Sequence, residues 1–219
     1  MDLYDVMRTT PAVRDLTDEP LPDETLHRIL DNARFAPSGG NRQGTRVIVV
    51  REQSTREALV ELYGPTVRRY VAQIGAGQSP WNSLEAPIPT AEEIAATPVP
   101  DRFTKPVLTA GAVLVVCVDL GVVASTDQDL DRVGVISGAS VYPLVWNILL
   151  AARNEGFGGT ITTMAVAQEP AVQELLGIPA QYAVAAVLPI GKPVKVLTKL
   201  RRNPVEEFVT RERFDGAPF

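Results

Sequence analysis

Residues 24–50, ETLHRILDNARFAPSGGNRQGTRVIVV, decide how this chain is organised. Leu26, Ile29, Leu30 and Ala33 recur at helical spacing behind the start signal Pro22–Asp23. Val47–Val50 is a short apolar run, so a helix passes through a loop into a buried strand. Two or three turn residues would make that connection. The chain instead spends residues 36–43, APSGGNRQ, whose two glycines let backbone approach a ligand while Ser38, Asn41 and Gln43 offer donors and acceptors. An ordinary loop with glycine at the helix end is the plainer reading, and the segment alone does not separate the two. The Lys-Ser/Thr ending of a Walker phosphate loop is missing.

Working outward, residues 2–8 read as a short helix that stops near Thr9–Pro11, because Pro11 pushes Thr10 out of helical geometry. Downstream, residues 45–52 read as a strand and 54–64 as a helix opened by Ser54 and closed by Gly64. Residues 64–106 are crowded with Pro, Gly, Ser and Ala, the mark of a lid or a linker. Tyr70, Trp81 and Phe103 favour a partly helical excursion, since aromatic groups dock. The run 111–121, GAVLVVCVDLG, is a strand buried on both faces. Residues 134–159 read as one closely packed helix, in which Pro143 would cost about 3 kcal/mol unless a kink or first turn accommodates it. A helix over 168–179, a buried strand over 181–193 and a basic, extended arm over 194–219 ending in a short helix complete the chain. Alternating element types predict an α+β or α/β layered fold, a central sheet flanked by helices, with 1–219 forming one domain.

Composition bounds the function. A chain of 219 residues buries about 70% of the surface its unfolded form exposes. A net charge of -5 with no Lys/Arg block argues against nucleic acid as partner. The lone Cys117 sits in an apolar run and reads as a buried hydrophobe, and the lone His27 as a surface residue. One of each cannot build a thiolate or imidazole metal cluster, and a histidine triad is equally remote. No window reaches the about 18 apolar residues of a membrane span, so a cytoplasmic protein is expected.

Three further stretches carry chemistry-bearing residues. MRTTPAVR, 7–14, brackets two threonines with Arg8 and Arg14, suited to a phosphate or the edge of a heterocycle, or simply surface arginines beside a helix end. NEGFGGTITTM, 154–164, places Gly158 and Gly159 after the packed helix, as bare amides or as a C-cap. It fails the dinucleotide fingerprint because Ile161 stands where glycine is required. KLRRNP, 199–204, clusters Lys199, Arg201 and Arg202, usually a solvated charge run.

Their order is more specific than any one of them. R-x-x-x-x-V-R, AP-S-x-x-N-x-Q, G-x-G-G-x-x-T-T, L-x-I-P, P-I-G-x-P and R-x-P-x-E-E succeed one another along the chain, which resembles the FMN-dependent nitroreductase family from end to end. TTPAVR and ARFAPSGGNRQG look like its small actinobacterial-type branch. The resemblance implies a nitroreductase-like α+β fold with a mostly antiparallel sheet, and a domain-exchanged homodimer with FMN at the subunit interface. It also implies ping-pong transfer of electrons from NADH or NADPH to nitroaromatics, quinones or similar small molecules. Arg8, Thr10 and Arg14 then fall at the FMN phosphate and pyrimidine edge, Pro37, Ser38, Asn41 and Gln43 in the loop lent by the other subunit, Gly158 and Gly159 at the ring, and Arg202 at the phosphate. No side chain need act as a catalytic acid. On this reading 64–106 is a substrate lid walled by Tyr70, Trp81 and Phe103, or else a dimer-embracing element. TTPA replaces the family's usual Arg-rich start and NRQGT its N-x-Q-P-W, which points to altered ring or substrate contacts. Flavin storage or sensing, flavin destruction, dehalogenation and a deazaflavin in place of FMN stay open.

Overall fold

The computed structural model describes residues 1–219. Helix α1, Leu3–Thr9, opens on Asp2, whose carboxylate accepts from the Tyr4 N–H at 2.9 Å. It ends where Thr10 turns extended ahead of Pro11. Helix α2, Asp23–Ala33, buries the face carrying Leu26, Ile29 and Ala33. Strand β1, Thr45–Val50, follows the glycine loop.

Helix α3 runs Gln53–Gly75 and so passes straight through Gly64–Pro65, where the sequence predicts a stop. Proline disfavours helical geometry in its predecessor partly through that residue's Cβ, and Gly64 has none. Leu59, Tyr63 and Val67, spaced four apart and fully buried, hold both halves on the core across the lost hydrogen bond. The excursion beyond Gly75 is partly helical, as expected. Helix α4, Ala91–Ala96, begins with a reciprocal capping box between Thr90 and Glu93. A 3-10 turn at Asp101–Phe103 and helix α5, Lys105–Thr109, follow, and α4 and α5 both pack on α3.

Strand β2, Ala112–Asp119, is followed by helix α6, Tyr142–Asn154. The predicted helix over 134–159 is therefore shorter at both ends. Residues Ile136–Ser140 form a separate 3-10 turn, and Pro143 falls in the first turn of α6, where a missing N–H costs nothing. Strand β3, Gly158–Gly159, helix α7, Glu169–Leu176, and strand β4, Tyr182–Gly191, complete the fold.

The sheet has the order β1-β2-β4-β3, every pair antiparallel. Residues of β2 alternate between two cores. Val113, Val115 and Cys117 face Leu59, Tyr63, Val107 and Val172 from α3, α5 and α7. Ala112, Leu114, Val116 and Val118 face Ile29, Val145, Ile148 and Ala152 from α2 and α6. Each fully buried Leu, Ile or Val contributes about 1.5–3 kcal/mol, so the sandwiched sheet is the stable frame. A register shift beside Val116 and Cys117 frees the Ala185 carbonyl, which accepts from the Tyr142 hydroxyl at 3.4 Å.

Beyond Pro193 the chain is mostly exposed. The predicted terminal helix is absent. A 3-10 turn spans Val205–Glu207, and the last residues fold back through a bridge between Thr210 and Pro218. A short segment needs a surface to pack on before it holds a helix, and residues 201–219 are almost all exposed. No helix is long and apolar enough to cross a membrane.

Candidate cofactor and substrate site

The N-terminal segment docks along the β3 edge. Val13 N–H donates to the Gly159 carbonyl and Thr17 N–H to that of Lys192, both at 2.8 Å, while Leu16 bridges to Pro193. This explains the glycine pair. A Cβ on Gly158 would lie 2.8 Å from Val13 Cγ2, and one on Gly159 would lie 2.5 Å from the Pro189 carbonyl. Helix α6 is closed instead by Gly156 at φ 80°, with Phe157 N–H donating to the Ala152 carbonyl, so neither Gly158 nor Gly159 is its C-cap. Arg153 in its last turn donates to Thr9 Oγ1 and to the Leu197 carbonyl, tying α1 and the C-terminal arm together. Thr10 is buried, its hydroxyl donating to the Val6 carbonyl at 2.7 Å. Arg8 is exposed over Tyr4.

Arg14 opens onto a cavity of about 200 Å³ shared with Tyr70, Arg102, Phe103, Thr160 and Thr163. Tyr70 and Phe103 meet edge to face at 5.5 Å. Through Tyr70, Thr163 and Met164 this cavity adjoins a second, of about 460 Å³, walled by Trp81. The three aromatic residues singled out in the sequence thus stand around two adjoining hollows.

Trp81 is held in a left-handed conformation, φ 55°. Its N–H donates to Gln73 Oε1 at 3.0 Å, its indole N–H to the Thr66 carbonyl at 3.3 Å, and the Arg69 guanidinium lies 3.9 Å from its ring centroid. Gln73 is fully buried and donates to Gln78 Oε1 at 2.9 Å. Gln78 in turn donates to the Ala86 carbonyl. A buried amide in such a network is costly unless every group is satisfied, and here each amide both donates and accepts.

The glycine loop stands elsewhere. Pro37, Ser38 and Gln43 line a cavity of about 400 Å³ with His27, Arg34 and Ser140. Ser38 Oγ accepts from the Gln43 N–H, and Ser140 Oγ from the Gly39 N–H, both at 3.0 Å. The loop is wound tightly, with Gly40, Asn41 and Gln43 all at positive φ. Asn41, Gln43 and Trp81 are three of the four non-glycine residues in that region, and such strain concentrates where geometry serves function. Neither the loop cavity nor either of the two adjoining hollows is lined by both the loop and Arg14. Arg202 joins neither group. It is exposed on the arm and donates to the Arg201 carbonyl.

Sequence reasoning passed over Thr160 and Thr163, although the G-x-G-G-x-x-T-T pattern spans both and Thr163 closes its Thr-Thr pair. Arg102, beside Phe103, and Ser140 were equally readable as polar residues near a site. Gln73 carries no local signature.

The residues present fit a flavin mononucleotide in kind. Arg14 and the threonine hydroxyls suit a phosphate or a heterocycle edge, the loop amides suit ring heteroatoms, and no carboxylate lines the hollow. Fold and site together define a nitroreductase-like α+β protein. Residues 7–192 match the nitroreductase family, and the chain belongs to it. It is 23% identical to iodotyrosine deiodinase 1 of Pongo abelii over 215 residues, 95% of this chain and 68% of that one. Among solved structures, an oxidised iodotyrosine deiodinase bound to FMN and 3-iodo-L-tyrosine superposes with TM-score 0.68 at 22% identity, covering 97% of this chain and 99% of the other. The NADPH:FMN oxidoreductase of Vibrio harveyi, complexed with NAD+, gives 0.67 at 19% identity, covering 97% and 77%.

Proposed function

We propose that this protein is a homodimeric FMN-dependent oxidoreductase, each flavin slot completed by two copies of the chain. The observation that carries the reading is the separation, within one chain, of Arg14 and the β3 edge from the Pro37–Gln43 loop. Two halves suited to one ligand but set apart call for a second protomer. Exposed apolar residues supply a matching surface: Leu3, Tyr4 and Met7 on α1, Tyr142 and Trp146 on α6. On this proposal Arg8, Thr10, Arg14 and Arg202 hold the phosphate and pyrimidine end, and Pro37, Ser38, Asn41 and Gln43 reach across from the partner. Gly158 and Gly159 keep the sheet edge flat beneath the ring. Residues 64–106 form the lid, and 194–219 form an arm that embraces the partner.

The chemistry such a cofactor supplies is two-electron transfer from NADH or NADPH to a nitroaromatic or quinone. The chain's own part is binding, orientation and electrostatics. Arg14 places positive charge where an electron-rich heterocycle would sit. Tyr70, Trp81 and Phe103 offer flat walls to a planar acceptor. No imidazole or carboxylate lines the two aromatic-walled hollows, while His27 and Asp31 line the loop cavity that a second copy would bring, so solvent and these two groups are the proton sources on hand.

The test uses purified protein: the yellow absorbance of oxidised flavin, a dimer in sedimentation, and NAD(P)H oxidation that speeds up with an added nitroaromatic. Colourless protein that refuses added FMN and sediments as a monomer overturns the proposal. Retained flavin without NAD(P)H oxidation would make the chain a flavin carrier. The likeness to iodotyrosine deiodinase favours one second reading, reductive dehalogenation. Iodide release from 3-iodotyrosine, without turnover of nitroaromatics, would put that reading first.

A further inference from the structure

The chain carries 26 acidic residues against 21 basic ones, yet no carboxylate lines the two adjoining hollows. Two guanidinium groups, Arg14 and Arg102, line the smaller. Neither forms an ion pair within the chain. Under the flavin reading Arg14 belongs to the cofactor. Arg69, the other cation nearby, is engaged, lying on Trp81 and donating to Gln73 Oε1. Arg102 is left over.

Its position is defined by the 3-10 turn Asp101–Phe103, and its guanidinium carbon lies 5.0 Å from the Phe103 ring centroid. The guanidinium therefore lies beside that ring, while its N–H groups have no acceptor within the chain. An N–H fork of this kind matches a carboxylate or another planar anion. Beside it stand the Tyr70–Phe103 pair and Trp81, walls for an aromatic ring. We infer that Arg102 selects electron acceptors that carry a negative charge on an aromatic ring, an aromatic carboxylate being the plainest case. The inference rests on the flavin reading for the reaction, and its binding test does not.

Calorimetric titration with 4-nitrobenzoate and 4-nitrobenzamide, a charged and a neutral probe of nearly equal shape, measures the preference directly. The expected result is roughly fivefold tighter binding of the carboxylate, equivalent to about 1 kcal/mol. The preference should narrow as salt screens the exposed guanidinium. Arg102→Gln brings the ratio close to one, and Arg102→Lys keeps most of it. Equal binding of the two probes by the unmodified protein, or an undiminished preference in Arg102→Gln, overturns the inference. So does a rise in KM for NADPH relative to NADH in Arg102→Gln with the probe ratio unchanged, since the cation would then read the donor's phosphate. Should Arg102→Gln fail to fold, Arg102→Lys and the salt series carry the test. Yellow protein without the charge preference refutes this inference alone, and colourless, monomeric protein that refuses added FMN yet shows the preference refutes the flavin reading alone.

Discussion

Replacing Gln73 by leucine tests whether the hollow is shaped by a polar latch. Leucine keeps the apolar bulk but removes the acceptor for the Trp81 N–H at 3.0 Å and the donor to Gln78 Oε1 at 2.9 Å. At about 1 kcal/mol for each buried hydrogen bond, docking of residues 78–88 on α3 weakens by about 2 kcal/mol. The strain at Trp81, φ 55°, is present in both proteins and cancels. Two kcal/mol is a change of about thirtyfold in the ratio of docked to undocked loop. Amide hydrogen exchange reads it at two positions, Trp81 and Ile88, whose N–H groups donate to the two glutamine oxygens. Protection at Trp81 should fall by about thirtyfold and at Ile88 by less, because Gln78 retains its bond to the Ala86 carbonyl. If both amides exchange as in the unmodified protein, Trp81 is held by ring packing on Arg69, and the latch argument is wrong.

Gly159→Ala puts a methyl group 2.5 Å from a backbone carbonyl that cannot swing away, so chemical denaturation should show a loss of about 3 kcal/mol, the upper end for overpacking. Burial, with a smaller push from Glu169, raises the Cys117 thiol to about 11, so maleimide at pH 8 should leave the folded protein unlabelled and label it once in urea. The Val135 N–H and then the Arg132 guanidinium hold Asp127 below its ordinary value. Its contribution is therefore fully present above the unfolded carboxylate value and is lost as pH falls through the lower folded value. Asp127→Asn should accordingly cost stability at neutral pH, with the gap to the unmodified protein closing in acid, as thermal unfolding across the pH range would show.

How much of this was legible depended on how local the cause was. Strand β2 was plain because continuous apolar character over the seven residues from Ala112 to Val118 has no other use, and α2 because its apolar spacing agrees with its start signal. The break at Thr10 followed from a single proline. Gly64–Pro65 misled, because a Gly-Pro pair normally ends a helix and only the burial of Leu59, Tyr63 and Val67 shows why this one continues. Pro143 could not be placed until the start of α6 was known. At the site, residue types were readable and distances were not. Gly158 and Gly159 were seen as glycines, but that Val13 and Pro189 require them is a fact of tertiary packing. Gln73 was invisible, since one glutamine in a polar stretch looks like solvent-facing filler until the chain closes over it.

The continuous α3 has a consequence for how this protein can vary. Its N-terminal part sets Leu59, Tyr63 and Val67 in the interior, while Tyr70 and Gln73, further along the same rod, shape the hollow. Inserting or deleting one residue ahead of Tyr70 would turn everything beyond it by about 100°, carrying both side chains away from their partners. Changes of length inside α3 are therefore excluded, and along this rod diversification must proceed by exchanging side chains at constant register.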